Sequence, residues 1–135
     1  MSMILRIASR ARLAEWDQTE VIAMFEDVDE PTRSVLSAVA RSSNAGTTLS
    51  DHQIAESIEI PQRELLGIVR ELNERAQAAS RHPLILVQQD TEQLPNGRIR
   101  EQRILSMDTE LASLVREAER VERAANPHPL LGENG

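Results

Sequence analysis

The sequence contains no cysteine, no lysine and no tyrosine, and its aromatics are one tryptophan (Trp16) and one phenylalanine (Phe25). Without cysteine there is no disulfide framework, no thiolate metal site and no cysteine nucleophile. Two aromatics offer no platform on which nucleic-acid bases could stack, and they leave the core to aliphatic side chains. All fifteen positive charges fall to arginine, a usage that a GC-rich genome explains without reference to function. Long hydrophobic runs are also missing. The opening MSMILRIASRARLAE holds none longer than Met3-Ile4-Leu5, too short for a secretory signal or a membrane span, so a cytoplasmic protein with no membrane partner is expected. No Gly-rich phosphate loop or nucleophile motif is present, and the three histidines are scattered. The expectation is therefore no catalytic residue, no metal and no cofactor.

At 135 residues the chain has the length of one domain. Its net charge of −7 argues against a strongly basic nucleic-acid binder of the histone kind. The charge is uneven: residues 1–30 carry three arginines against seven acids, whereas residues 61–107 carry seven arginines against six acids. The least acidic stretch follows the central motif described next.

That motif is TTLSDHQIAESIEIPQRELLGIVRELNER, residues 47–75. Ser50 stands three residues before Gln53, the spacing of a capping box. Ile54, Ala55 and Ile58 then support only a short helix. Pro61 disfavours helical backbone at Ile60 and supplies a first-turn residue that needs no N–H, so the chain stops, turns and restarts. Leu65, Leu66, Val69, Leu72 and Ala76 keep the 3.6-residue period, with Arg63, Gly67, Arg70, Glu71 and Glu74 on the other side. This is a helix-turn-helix pattern.

Upstream, Ile4, Ile7, Ala8 and Ala11 share a helical face, either in an N-terminal arm or in a partly ordered tail. Asp17 and Glu20 form a second capping box before Val21, Ile22, Met24 and Phe25. The acidic run from Glu26 to Glu30 reads as a solvated linker, and Pro31 starts a helix carrying Val35, Leu36, Val39 and Ala40. Thr47-Thr48-Leu49 is β-prone and suits a short sheet edge. Downstream the second motif helix is expected to fray through Ala76–Ser80. Asn96-Gly97 then signals a hairpin; as a two-residue turn it would set Leu94 opposite Ile99, Glu92 opposite Glu101 and Leu86 opposite Met107. A helix-turn-helix followed by such a ribbon is a winged helix. Leu111, Leu114, Val115, Ala118, Val121 and Ala125 line a final helix long enough to leave a spare face for a dimer contact. The expected organisation is an N-terminal arm and helix (1–30), a winged domain (31–108), a C-terminal helix (109–126) and a disordered tail (127–135).

The residues Leu49-Ser50-Asp51-His52-Gln53-Ile54-Ala55, Ile60-Pro61-Gln62-Arg63-Glu64-Leu65-Leu66 and Asn96-Gly97-Arg98 through Met107 resemble the bacterial winged helix-turn-helix transcription regulators, most nearly the MarR-like group, over about residues 31–121. The wing departs from that pattern, with Gly97-Arg98-Ile99-Arg100 where MarR-like wings have an acidic residue and two arginines. The resemblance implies a mostly α fold with a small antiparallel β-wing and extra N-terminal and long C-terminal helices. It implies a sequence-specific regulator that binds double-stranded DNA as a homodimer, with a small-molecule effector or a protein as further partner.

By that resemblance the second helix enters the major groove, where Gln62 and Arg63 would meet base edges. Thr48, Ser50 and His52, at a helix start, together with Arg70, Arg98 and Arg100, would meet the phosphate backbone. Each has a plainer alternative: Arg63 in an exposed ion pair, Arg70 and Arg75 paired with Glu71 or Glu74, His52 as an ordinary surface histidine. Gly67 marks either close approach to DNA or packing against a neighbouring helix. The rival reading of the whole is a winged-helix interaction module, a regulatory subunit or anti-regulator that binds protein and no DNA.

Overall fold

The computed structural model describes residues 15–125, so the expectations for the N-terminal arm, the end of the last helix and the tail lie outside the described residues. Its elements are α1 (Gln18–Asp27), α2 (Glu30–Asn44), β1 (Leu49–Ser50), α3 (Asp51–Ser57), α4 (Gln62–Ala78), β2 (Leu86–Gln93), β3 (Ile99–Ser106) and α5 (Thr109–Ala125). Both expected capping boxes form, at Asp17 with Glu20 and at Ser50 with Gln53. Asp29, inside the acidic run, caps α2 by accepting the Thr32 N–H. None of the described helices is long and apolar enough to cross a membrane.

Three helix ends share one device. After α2, α3 and α4 the chain passes through a left-handed residue, Gly46, Glu59 and Ser80 respectively. In each case the next N–H reaches back to a carbonyl five residues earlier: Thr47 to Ser42, Ile60 to Ala55 and Arg81 to Ala76. These are Schellman turns. The one after α4 corrects the expectation of a frayed end. The one after α3 makes the sharp corner of the helix-turn-helix and tucks half-buried Ile60 against the core.

The core is one aliphatic cluster built from Val35, Leu36 and Val39 of α2, Ile54 of α3, Leu65, Val69 and Leu72 of α4, and Leu105 of β3. It continues through Val21, Met24 and Phe25 of α1 to Leu111 and Val115 of α5. Helix α5 packs on both α1 and α2, which joins the two ends of the chain to the winged region in between.

The sheet has the order β1-β3-β2, all antiparallel. The expected edge strand is present, with Leu49 opposite Leu105 and Ser50 opposite Ile104. The hairpin register differs from the expected one by a single residue: Gln93 lies opposite Ile99, Glu92 opposite Arg100, Asp90 opposite Gln102 and Leu86 opposite Ser106. The reason is Pro95. Gly97 donates to the Leu94 carbonyl at 2.9 Å and Leu94 to the Arg98 carbonyl at 2.8 Å, so the loop holds three residues. Only Gly97 in it has positive φ, at 85°. A two-residue turn of the Asn-Gly kind needs positive φ at both positions; here proline leads a tight turn and Gly97 forms the bulge that follows.

Candidate nucleic-acid interface

Helix α4 buries Leu65, Val69, Leu72 and Ala76 and turns Arg63, Arg70 and Glu74 to solvent. Gly67 lies between Arg63 and Arg70, and a Cβ built on it would meet nothing within 4 Å. Packing against a neighbouring helix is thus not its role within the described residues.

The arginines sort into two groups. Of the seven between residues 61 and 107, four have acidic partners: Arg75 with Asp27 at 2.8 Å, Arg81 with Glu20 at 2.6 Å, Arg100 with Glu92, and Arg103 with Asp51 at 3.4 Å. Among the described residues no acidic partner is found for Arg63, Arg70 or Arg98. Two expectations are corrected here. Arg75 pairs across to α1 rather than with Glu71 or Glu74 of its own helix. Arg100 is not an idle wing cation, because the true register puts Glu92 directly opposite it.

Around the start of α3 the expected residues converge, but on the protein itself. Ser50 is buried, and its hydroxyl oxygen accepts the Gln53 N–H at 3.2 Å; this corrects its assignment to a phosphate. Gln62 donates its amide to Asp51 Oδ2 at 2.7 Å. Its Nε2 also lies 3.5 Å from His52 Nε2, on a half-exposed histidine. Thr48 stands exposed just before β1.

Asp51 is the centre of this cluster and was not marked by the sequence, where an acid in a first helical turn is commonplace. Its side chain is fully buried. It accepts from Gln62, from the Arg103 backbone N–H at 3.2 Å and from the Arg103 guanidinium at 3.4 Å. Burial pushes this carboxyl up, but the bonds from Gln62 and the Arg103 N–H, with His52 alongside, outweigh it and hold the group below the usual carboxylate range. Asn73 was also missed. From the middle of α4 it reaches the root of β2 and makes two bonds with the Ile85 backbone.

A cleft of about 370 Å³ opens beside α5, lined by Trp16, His82, Leu86, Leu111 and Leu114 with the acids Glu15, Asp108 and Glu110.

No family model matches the sequence, and no curated protein matches it. Among solved structures the chain is similar to S. aureus MepR in a complex with DNA, at 14% identity and a TM-score of 0.52, over 98% of this chain and 89% of that one. It is also similar to NadR in complex with 4-hydroxyphenylacetate, at 18% identity and a TM-score of 0.46, over 98% of this chain and 79% of that one. The likeness is one of fold: a mostly helical winged helix-turn-helix of the MarR-like kind, with a three-stranded antiparallel sheet.

Proposed function

We propose that this winged helix is a transcription regulator that reads double-stranded DNA as a homodimer. The observation that carries the proposal is the sorting of its arginines. Those without an acidic partner among the described residues, Arg63, Arg70 and Arg98, sit on the outward face of α4 and at the wing turn, while the others in that stretch are tied to acids. In a chain of net charge −7, the cations left for phosphates and bases are those that a winged helix presents to a duplex.

In this reading Arg63, in the first turn of α4, meets base edges in the major groove, where arginine recognises guanine through paired bonds. Arg70, Arg98 and, once released from Glu92, Arg100 meet the backbone, joined by Thr48 and His52 at the start of α3. That the MepR structure is a DNA complex supports duplex DNA as the partner class. Residues 31–108 would form the reading domain. Residues 1–30 and 109–126 would join two copies, a role that suits α1 and α5, which already pack together in one chain. The cleft between Trp16 and Leu114 would be the place for a small-molecule effector.

Selection of bound duplexes from a random pool by the purified chain tests the proposal. A recovered palindromic consensus is expected, with affinity that falls steeply as salt rises. If no duplex is retained even at low ionic strength, the DNA reading falls and the protein-binding alternative takes its place.

A further inference from the structure

Asp51 is fully buried although it lies in the first turn of a short helix, where an acid ordinarily faces water. A buried carboxylate persists only with donors around it, and those around this one come from distant parts of the chain. Gln62 at the start of α4 gives its side-chain amide at 2.7 Å. Arg103, 52 residues away on β3, gives its backbone N–H at 3.2 Å and its guanidinium at 3.4 Å. The N–H of neighbouring His52 adds a bond at 2.9 Å.

The strand register explains why Arg103 is there. Strand β1 pairs Leu49 with Leu105 and Ser50 with Ile104, so the next rung would join residue 51 to Arg103. The chain turns into α3 at that point, and the Asp51 carboxylate takes the N–H that a longer β1 would have taken. One side chain thereby ends the sheet ladder, sits at the start of α3 and holds the first residue of α4.

We infer that Asp51 is a positioning residue for base recognition: it withdraws Gln62 from the bases, leaves Arg63 as the reader at that end of α4, and fixes the wing strand to the reading helix. The inference rests on the DNA reading proposed above. An ionised carboxylate only accepts, so the amide nitrogen of Gln62 must face it. A glutamine that reads adenine needs that nitrogen and its oxygen together. To do so here, Gln62 would exchange a bond to a buried charge for one to a neutral base, and bonds to charged groups are the stronger kind.

The test compares the full-length wild type with Asp51→Asn and Gln62→Ala. Each is put through duplex selection, and the Gln62 side-chain amide and Arg103 backbone N–H are followed by NMR. Gln62→Ala should select the wild-type consensus. Asp51→Asn should change or flatten the preference beside the Arg63 contact by about tenfold, the size of one base contact. It should also return the Gln62 amide resonances to solvent-like positions and speed Arg103 exchange. A merely structural role would lower the affinity of Asp51→Asn for all duplexes alike, and that result overturns the inference. So does a consensus altered by Gln62→Ala, which would make Gln62 a reader. If Asp51→Asn does not fold, Gln62→Ala decides in the same two ways. A wild type that selects no duplex overturns the DNA reading itself, and the recognition role of Asp51 with it.

Discussion

Asn73 makes two hydrogen bonds to the backbone of Ile85: its side-chain nitrogen donates to the carbonyl at 2.8 Å, and its side-chain oxygen accepts the N–H at 3.0 Å. One amide thus takes the place of a strand partner for a buried residue at the foot of the wing. Replacing it by alanine leaves both backbone groups of Ile85 unpartnered. Asn73→Ala should cost about 1–3 kcal/mol of stability, read as a lowered urea midpoint with an unchanged slope. A loss below the error of the measurement would show that water replaces the amide freely.

Gly67 lies exposed to an added methyl group without a clash. Gly67→Ala should therefore raise stability by about 1 kcal/mol through helix propensity alone. On a helix that enters the major groove, the same methyl should lower duplex affinity severalfold. Melting temperature and duplex affinity are expected to move in opposite senses. If both rise, the face that carries Gly67 does not approach DNA.

Glu92 holds Arg100 across the hairpin, with both side chains about two-fifths exposed. A pair so exposed contributes at most about 1 kcal/mol to stability. Glu92→Gln should leave the fold intact, free Arg100 for a phosphate and remove a negative charge from the wing. Duplex binding should tighten and its logarithmic salt slope should steepen by about 0.9, the increment for one phosphate contact. An unaltered slope would mean that Arg100 does not reach the backbone.

Asp51 has a carboxyl pKa below its unfolded value, so folding favours the ionised form. The stabilisation this brings is present above the unfolded pKa of about 3.9 and is lost as pH falls through the lower folded value. Asp51→Asn should be less stable than wild type by roughly 1–3 kcal/mol at neutral pH. Denaturation midpoints measured from pH 6 down to about pH 2.5 should converge below about pH 4, as the wild-type carboxyl takes up its proton. A constant gap across that range would show that the carboxyl does not ionise with its partners in place.

What could be read from the residues alone was local. The two capping boxes lie within four residues of chain, and the apolar periods of α4 and α5 repeat within a turn. Pro61 stops one helix and starts the next through its own ring. Each of these follows from the backbone chemistry of a few neighbours, which is why element order, helix-turn-helix and wing were all legible. The wing register was legible too, but in Pro95 rather than in Asn96-Gly97: a proline in the loop dictates three residues, and a count of two shifts every rung by one.

The candidate surface was legible only in its outline. Arg63 and Arg70 fall on the outer side of α4 by spacing, and the tertiary structure keeps them there. Whether an arginine is free depends on which acid lies across from it, and Asp27 meets Arg75 over 48 residues, as Glu20 meets Arg81 over 61. Asp51 is the extreme case, an unremarkable acid in sequence whose donors arrive from α4 and β3. The sequence by itself determined where the chain bends and which side of each helix is apolar, because those choices are made by neighbours along the backbone. The tertiary structure decided which polar groups are spent on the protein and which remain for a partner, because that is settled by contacts between residues the chain order keeps far apart.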